Sequence, residues 1–440
     1  MSSPIIAIVG RANVGKSTIF NKLTHSRSAI VNDTPGVTRD RIYGSADFGN
    51  RSAIIVDTGG VDVDQSNPIE LQVIEQGKWA RNEADCVIVV VDNRAGLTPH
   101  DREMVDEIRK SGKPFVVAIN KIDSPSQHYI LPEFNGLGVK NMLPVSAEHG
   151  HGLYELIEAV SSLLPDIIEP ELESKAIRIA VIGKPNVGKS SLINKLLGAE
   201  RCIVSNIPGT TRDSTDTLLK ANDQDFVLVD TAGIRRKGKT KQILDKFSVI
   251  MALKALDRCD VAILLLDAME HVTDQDATIA GYALERGKGC LVIGHKWELM
   301  REKEVTFENF KERVHHKLKF LDFAPILTVS AKSGMRLDKI LPEVEKVFAE
   351  YSRKISTGSL NDCFEKAIQR NPMSSYRGKF LKMFYATQIK NKPPTIKCYL
   401  NFPEGIHFSY HRYLINSIRK TFGLMGTPIR LILTGKKEAP

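Results

Sequence analysis

Two eight-residue stretches of this 440-residue chain have the residue types and spacing that hold phosphate: Gly10-Arg-Ala-Asn-Val-Gly-Lys-Ser17 and Gly183-Lys-Pro-Asn-Val-Gly-Lys-Ser190. In such a loop the glycines let backbone N–H groups close around an anion at a helix N-terminus, whose partial positive end adds to the attraction. Lys16 and Lys189 are expected to reach β- and γ-phosphates, and the Ser17 and Ser190 hydroxyls to bind Mg²⁺. Asn13, Val14, Gly15 and Thr18, with Asn186, Val187, Gly188 and Ser191 in the second copy, belong to the same cradle. A bare Gly-rich turn before a helix is the bland alternative. Lys-Ser at the required spacing in both copies sets it aside. The copies keep register downstream: 183 − 10, 211 − 38 (Thr38 and Thr211) and 230 − 57 (Asp57 and Asp230) all equal 173. Internal repetition on this scale means two tandem domains.

A phosphate loop does not choose its base; the companion residues do. Asp57-Thr-Gly-Gly60 and Asp230-Thr-Ala-Gly233 each end an apolar run, which puts a carboxylate behind Mg²⁺ and a glycine N–H (Gly60, Gly233) at the γ-phosphate. Asn120-Lys121-Ile-Asp123 ends another. Its aspartate can accept both the N1–H and the N2 amino group of guanine, a donor pair that adenine lacks. Ser146-Ala147 and Ser330-Ala331 complete the base pockets. The second copy departs from this pattern, reading His295-Lys296-Trp-Glu298. Glu298 is one methylene longer than aspartate and must be re-aimed, and His295 is expected to brace the pocket less well than an amide. Lys296 and Ser330-Ala331 still favour guanine there.

These residues need strand ends and loops to hold them. Continuous Val/Ile-rich runs (Ile5–Val9, Ala53–Val56, Val87–Val91, Phe115–Ile119) alternate with helical patterns, as in a mostly parallel sheet covered on both faces. The pattern restarts at Ile177–Ile182 and continues through Phe226–Val229, Val261–Leu266, Leu291–Ile293 and Ile326–Val329. An α/β fold class follows, with a first domain over residues 1–165, an acidic linker over 166–175, and a second domain over 176–350. From 351 to 440 the order becomes α-β-β-α-β, a small α+β domain compatible with a KH-like RNA-binding module. Gly423-Leu-Met-Gly426 falls between a helix and a strand, so it reads as a helix cap and turn rather than a KH clamp. Residues 351–440 hold 16 Lys and Arg against four acids, a net of +12. The rest of the chain is then 9 − 12 = −3. A basic domain on a mildly acidic body is the footprint of a protein that docks on a polyanion; a basic solubilising surface is the bland alternative. No apolar run approaches a membrane span, no basic leader opens the chain, and the six scattered cysteines point to buried thiols in a reducing cytosol.

Taken together, the motifs resemble the Der/EngA family of bacterial double-Era-like GTPases over essentially the whole chain. The resemblance implies GTP hydrolysis to GDP and phosphate, coupled to assembly of the large ribosomal subunit, with the KH-like domain touching rRNA. It implies that Thr38 and Thr211 are switch threonines sensing Mg²⁺ and γ-phosphate, and that Asn13 and Asn186 hold a monovalent cation, K⁺, beside the phosphates. The bland reading of these asparagines is a loop-stabilising hydrogen bond. Val61 and Ile234 stand where Ras-type enzymes carry a water-orienting glutamine, so slow intrinsic turnover is expected. The switch loops differ in charge, with Asp62 and Asp64 in one and Arg235, Arg236, Lys237, Lys239 and Lys241 in the other. Neither DNA nor a membrane is an expected partner, and a monomer is expected away from the ribosome. The competing classes are a P-loop kinase or ATPase, which Asn120 and Asp123 disfavour, and a non-enzymatic RNA-binding scaffold, which two intact phosphate loops disfavour.

Overall fold

The computed structural model describes residues 4–28, 43–49, 51–58, 84–123, 131–164, 176–198, 203–206, 216–221, 224–229, 244–303 and 306–435. They form two compact units, residues 1–171 and 172–440, each described here by itself. In the first, β1 (Ile5–Val9), β2 (Tyr43–Phe48), β3 (Arg51–Asp57), β4 (Cys86–Asp92), β5 (Phe115–Asn120) and β6 (Met142–Pro144) make a sheet of order β2-β3-β1-β4-β5-β6. Only the β2–β3 hairpin is antiparallel. Every residue of β1 and β4 is buried, which is why these strands are unbroken apolar runs rather than alternating ones. One core cluster joins Ile6, Ile8, Ile88 and Val90 to Phe20 and Leu23 of α1 (Lys16–Ser28) and to Leu156 and Val160 of α3 (Leu153–Leu163). The intervening α2 (Pro99–Lys110) starts in a capping box, with Thr98 and Asp101 each bonding the other's backbone N–H and Pro99 in the first turn.

The second unit repeats the plan. β7 (Ile177–Ile182), β8 (Ile203–Asn206), β9 (Thr217–Ala221), β10 (Gln224–Leu228), β11 (Val261–Asp267), β12 (Gly289–His295) and β13 (Ile326–Thr328) form a sheet of order β13-β12-β11-β7-β10-β9-β8. Helix α4 (Lys189–Leu197) follows the phosphate loop, α5 (Asp274–Glu285) repeats the capping box with Thr273 and Asp276, and α6 (Ile340–Tyr351) covers β12.

The C-terminal domain has the expected order. α7 (Thr357–Arg370), β14 (Ser375–Tyr376), β15 (Lys379–Phe380), β16 (Met383–Asn391), β17 (Pro394–Leu400), α8 (Phe408–Phe422) and β18 (Arg430–Gly435) follow in turn. The small β14–β15 hairpin is an addition to that order. In the main sheet β16 pairs antiparallel and β18 parallel with β17. Leu360 and Phe364 of α7 and Leu414 and Ile418 of α8 close one face of it.

Gly423-Leu-Met-Gly426 does cap its helix: Gly423 ends α8 with φ 83°, and Leu424 and Gly426 also adopt left-handed φ. It has a second part to play. The Gly426 N–H donates to Phe323 O at 2.8 Å, and the Cys290 N–H donates to Gly426 O at 2.7 Å. The turn therefore satisfies main-chain groups near the entering ends of β13 and β12. Arg419, in contact with the Leu424 and Thr427 carbonyls, lies 4.5 Å over the Phe323 ring, and burial pushes its pKa down to about 10. Arg430 reaches Glu285 O at 2.8 Å, and the Leu424 N–H reaches Glu350 Oε2 at 2.9 Å.

Candidate functional site

Each phosphate loop runs from a strand of the sheet's centre into the helix after it, and geometry explains its residue types. Gly10 and Gly183 sit at φ 154° and 150°, and a Cβ on either would lie 2.5 Å from the carbonyl oxygen of Val90 or Leu265 in the neighbouring strand. Gly15 and Gly188 sit at φ 95° and 109°; a Cβ there would strike the Asn120 side chain at 2.2 Å or the His295 ring at 2.5 Å. Only glycine lets the loop close onto the strand end that carries the base motif. Asn13 and Asn186 adopt left-handed φ of 62° and 59°, a conformation asparagine tolerates better than most residues. Backbone shape thus gives these asparagines a reason independent of any cation. Lys16 is buried with Nζ on Arg11 O at 2.6 Å, and Lys189 Nζ contacts the Gly183 and Lys184 carbonyls at 2.7 Å.

Ser17 Oγ donates to Asp57 Oδ2 at 2.6 Å, and Asp57 is only 8% exposed. An exposed hydroxyl and a buried carboxylate side by side are hard oxygen donors, and few in number. That set fits Mg²⁺, which takes one or two protein ligands and completes its shell with phosphate and water. Thr38, Gly60, Thr211, Asp230 and Gly233 lie outside the described residues, as do Val61, Ile234 and the charged loops that follow them.

The base motifs lie at the leaving ends of β5 and β12. Asn120 Nδ2 donates to Val14 O at 2.8 Å, and its Oδ1 accepts the Ala147 N–H at 3.0 Å. One amide thus ties the phosphate loop to the Ser146-Ala147 turn. Lys121, at φ 67°, places Nζ on Asn13 O at 2.8 Å and Asp92 Oδ2 at 2.7 Å. Asp123 Oδ1 accepts from Ser146 Oγ at 2.7 Å and Oδ2 from Arg94 at 2.5 Å. The Ser146 hydroxyl, then Arg94, hold its carboxyl below the usual carboxylate range. The carboxylate is thereby kept ionised as an acceptor. Arg94 is an exposed partner and is easily displaced by a ligand, since a solvent-screened surface ion pair is weak.

In the second pocket His295 takes the place of Asn120. His295 Nδ1 lies 3.1 Å from Val187 O, and Nε2 accepts the Ala331 N–H at 3.4 Å. Both bonds of Asn120 are reproduced, each a few tenths of an ångström longer. The arrangement requires the neutral ring with its proton on Nδ1, and burial pushes the His295 pKa below its ordinary value. Lys296 at φ 63° repeats Lys121, with Nζ on Asp267 Oδ2 at 2.5 Å. A cavity of about 640 Å³ opens beside them, lined by Ser191, Asn194, Lys195, His295, Glu298 and Ala331 among others. Glu298 Oε2 is buried with no hydrogen-bond partner among the described residues. An unmet acceptor of this kind costs about 1–3 kcal/mol, which a ligand's N–H groups would recover. Ser330 Oγ accepts the Ser333 N–H, holding the adjoining turn.

Sequence reasoning missed Asp92 and Asp267, the carboxylates that orient Lys121 and Lys296. Their signal was present: each ends an apolar strand 28 residues before its motif (120 − 92 and 295 − 267). It also missed the capping acids. Arg11 Nε pairs with Asp101 at 3.3 Å and Lys184 Nζ with Asp276 at 3.7 Å, so each phosphate loop is tied to the capped helix beyond the next strand.

Two phosphate loops, each locked by a side chain to a guanine-type base motif, define a protein with tandem GTPase domains. Family comparison agrees. The model described as 50S ribosome-binding GTPase matches residues 5–121 and 178–296, and that described as the C-terminal KH-domain-like region of EngA bacterial GTPase enzymes matches residues 354–434. The chain is 45% identical over 434 residues to GTPase Der of Geotalea daltonii, covering 99% of this chain and 98% of that one. It is 44% identical over 438 residues to GTPase Der of Moorella thermoacetica, covering 100% of both. The chain belongs to the Der/EngA family of GTPases, and it hydrolyses GTP.

Proposed function

We propose that the chain is a GTP-driven switch in assembly of the large ribosomal subunit, and that its basic KH-like domain contacts rRNA. The charge division carries this reading: +12 over residues 351–440 against −3 elsewhere, with the basic domain hydrogen-bonded to the second GTPase domain at Gly426. The ribosome-binding description of the matching GTPase model supports the same partner. Lys16 and Lys189 are the cations for the β- and γ-phosphate oxygens. Ser17 and Asp57 hold Mg²⁺ at the first site, as Ser190 and Asp230 do at the second; Thr38 and Thr211 join them in the GTP state. Mg²⁺, when bound, neutralises charge on the transferred phosphoryl group. Asp123 and Glu298 accept the guanine N–H groups, and Asn13 and Asn186 line a K⁺ site.

Co-sedimentation with purified ribosomal subunits, in GTP-analogue and GDP states, tests the proposal. Association with the large subunit that changes at least tenfold between the two states is expected. Equal sedimentation with both subunits in both states would sink it.

A further inference from the structure

The main sheet of the KH-like domain has two faces with different chemistry. Ala386, Ile396, Cys398 and Leu400 point inward and are completely buried against the two helices. Strand alternation sends Tyr385, Lys397 and Tyr399 to the opposite face. There Tyr385 of β16 stands opposite Tyr399 of β17, with ring centroids 4.3 Å apart and planes within 19° of parallel. Tyr385 is 45% exposed. Lys397 Nζ lies 5.2 Å from the Tyr399 ring centroid. Along the same edge, Lys382 Nζ sits 5.9 Å over Phe384.

The residue types choose the occupant. Protein-binding surfaces carry aromatics at their centre but are depleted in lysine; here Tyr399 and Phe384 each have a lysine beside them, in a domain with 16 basic and four acidic residues. Nucleobases stack on aromatic rings whatever their sequence, and phosphates take the adjacent cations. A duplex keeps its base faces hidden and offers only its grooves and backbone. We propose that this outer sheet face, centred on Tyr385 and Tyr399, is a stacking platform for single-stranded RNA, with Lys397 and Lys382 holding the strand's phosphates. The assignment rests on the reading of this domain as an RNA-contacting module and names the surface and the form of RNA it takes. It differs from the groove-and-clamp mode of KH domains, because Gly423–Gly426 is occupied in docking the domain.

The test uses the full chain and a fluorescein-labelled 12-nucleotide single-stranded RNA of mixed sequence, with anisotropy read over a KCl series. A blunt duplex containing the same strand is the comparison. Wild type is expected to bind the single strand at least tenfold tighter than the duplex. Tyr385→Ala/Tyr399→Ala should weaken single-strand binding ten- to a hundredfold with an unchanged salt slope, because no phosphate contact is lost. Tyr385→Phe/Tyr399→Phe should restore it. If the alanine pair binds like wild type, or the duplex binds as tightly as the strand, the platform is wrong while RNA contact by the domain stands. If wild type binds neither RNA, both readings fall and a protein occupant takes their place. Should the alanine pair lose its circular dichroism signal, a 4-thiouridine strand crosslinked to the unaltered chain decides instead. Adducts on Tyr385 or Tyr399 support the platform, and adducts confined to other elements overturn it.

Discussion

His295 is the residue at which this chain departs most from its own first half, and it carries a proton question that Asn120 does not. Its two bonds need a neutral ring, because a proton on Nε2 would face the Ala331 N–H donor. Burial holds its pKa below the ordinary 6.5. The sign follows from linkage: between the ordinary and the depressed value, the unfolded chain binds a proton that the folded chain does not. Stability from this group is therefore complete above about pH 6.5 and lost as pH falls from there toward the depressed value. We predict that GDP affinity at the second site and the thermal midpoint of its domain decline below pH 6.5 more steeply than at the first. His295→Asn should remove the excess acid sensitivity and leave affinity at pH 7.5 within about threefold, since the same two bonds are made. Parallel pH profiles for wild type and variant would expose the error. Little of this was legible beforehand. The types at positions 295 and 298 announced a departure, but an imidazole stands in for an amide only when loop and strand end are a few ångströms apart.

At the level of elements, the strands buried on both faces were readable because their sequences are unbroken Val and Ile. The edge strands β2 and β8, and β9 beside the latter, were not, since Tyr43–Phe48, Ile203–Asn206 and Thr217–Ala221 are short and mixed in type. The turn at 423–426 was recognisable as a helix cap from its glycines, whereas its docking partners, Cys290 and Phe323, are more than a hundred residues away in sequence. That docking makes a sharp prediction. A Cβ at Gly426 would lie 2.5 Å from Val347 Cγ2, and φ there is 72°. Gly426→Ala should destabilise the chain by about 1–3 kcal/mol, from overpacking and left-handed strain. Hydrogen exchange at the Cys290 amide should rise in the same variant. If that amide exchanges at the wild-type rate, the bond to Gly426 does not hold the two domains together.

The whole molecule divides by charge, and this was plain from composition. The arrangement behind it was not. Tyr351 is the last residue of α6 and is buried. Deleting residues 351–440 would therefore remove +12 of charge while also stripping cover from Val347, Phe323 and the Cys290 amide. Point neutralisation separates the two effects. Lys382→Ala and Lys397→Ala together should flatten the log–log salt slope of single-stranded RNA binding by about 1.4, at roughly 0.7 per phosphate contact. An unchanged slope would move the RNA surface onto the GTPase domains.

Because the Gly426 turn completes the second GTPase domain from outside it, order of synthesis matters. The last strand of that domain ends at Thr328, and Gly426 is added 426 − 328 = 98 residues later. At about 5–20 residues per second that interval lasts roughly 5–20 s. Throughout it, the nascent domain has every strand of its nucleotide pocket, yet the Cys290 N–H and the Phe323 carbonyl can bond only to water. The growing chain thus completes the strands beneath that pocket before it acquires the domain that docks beside them.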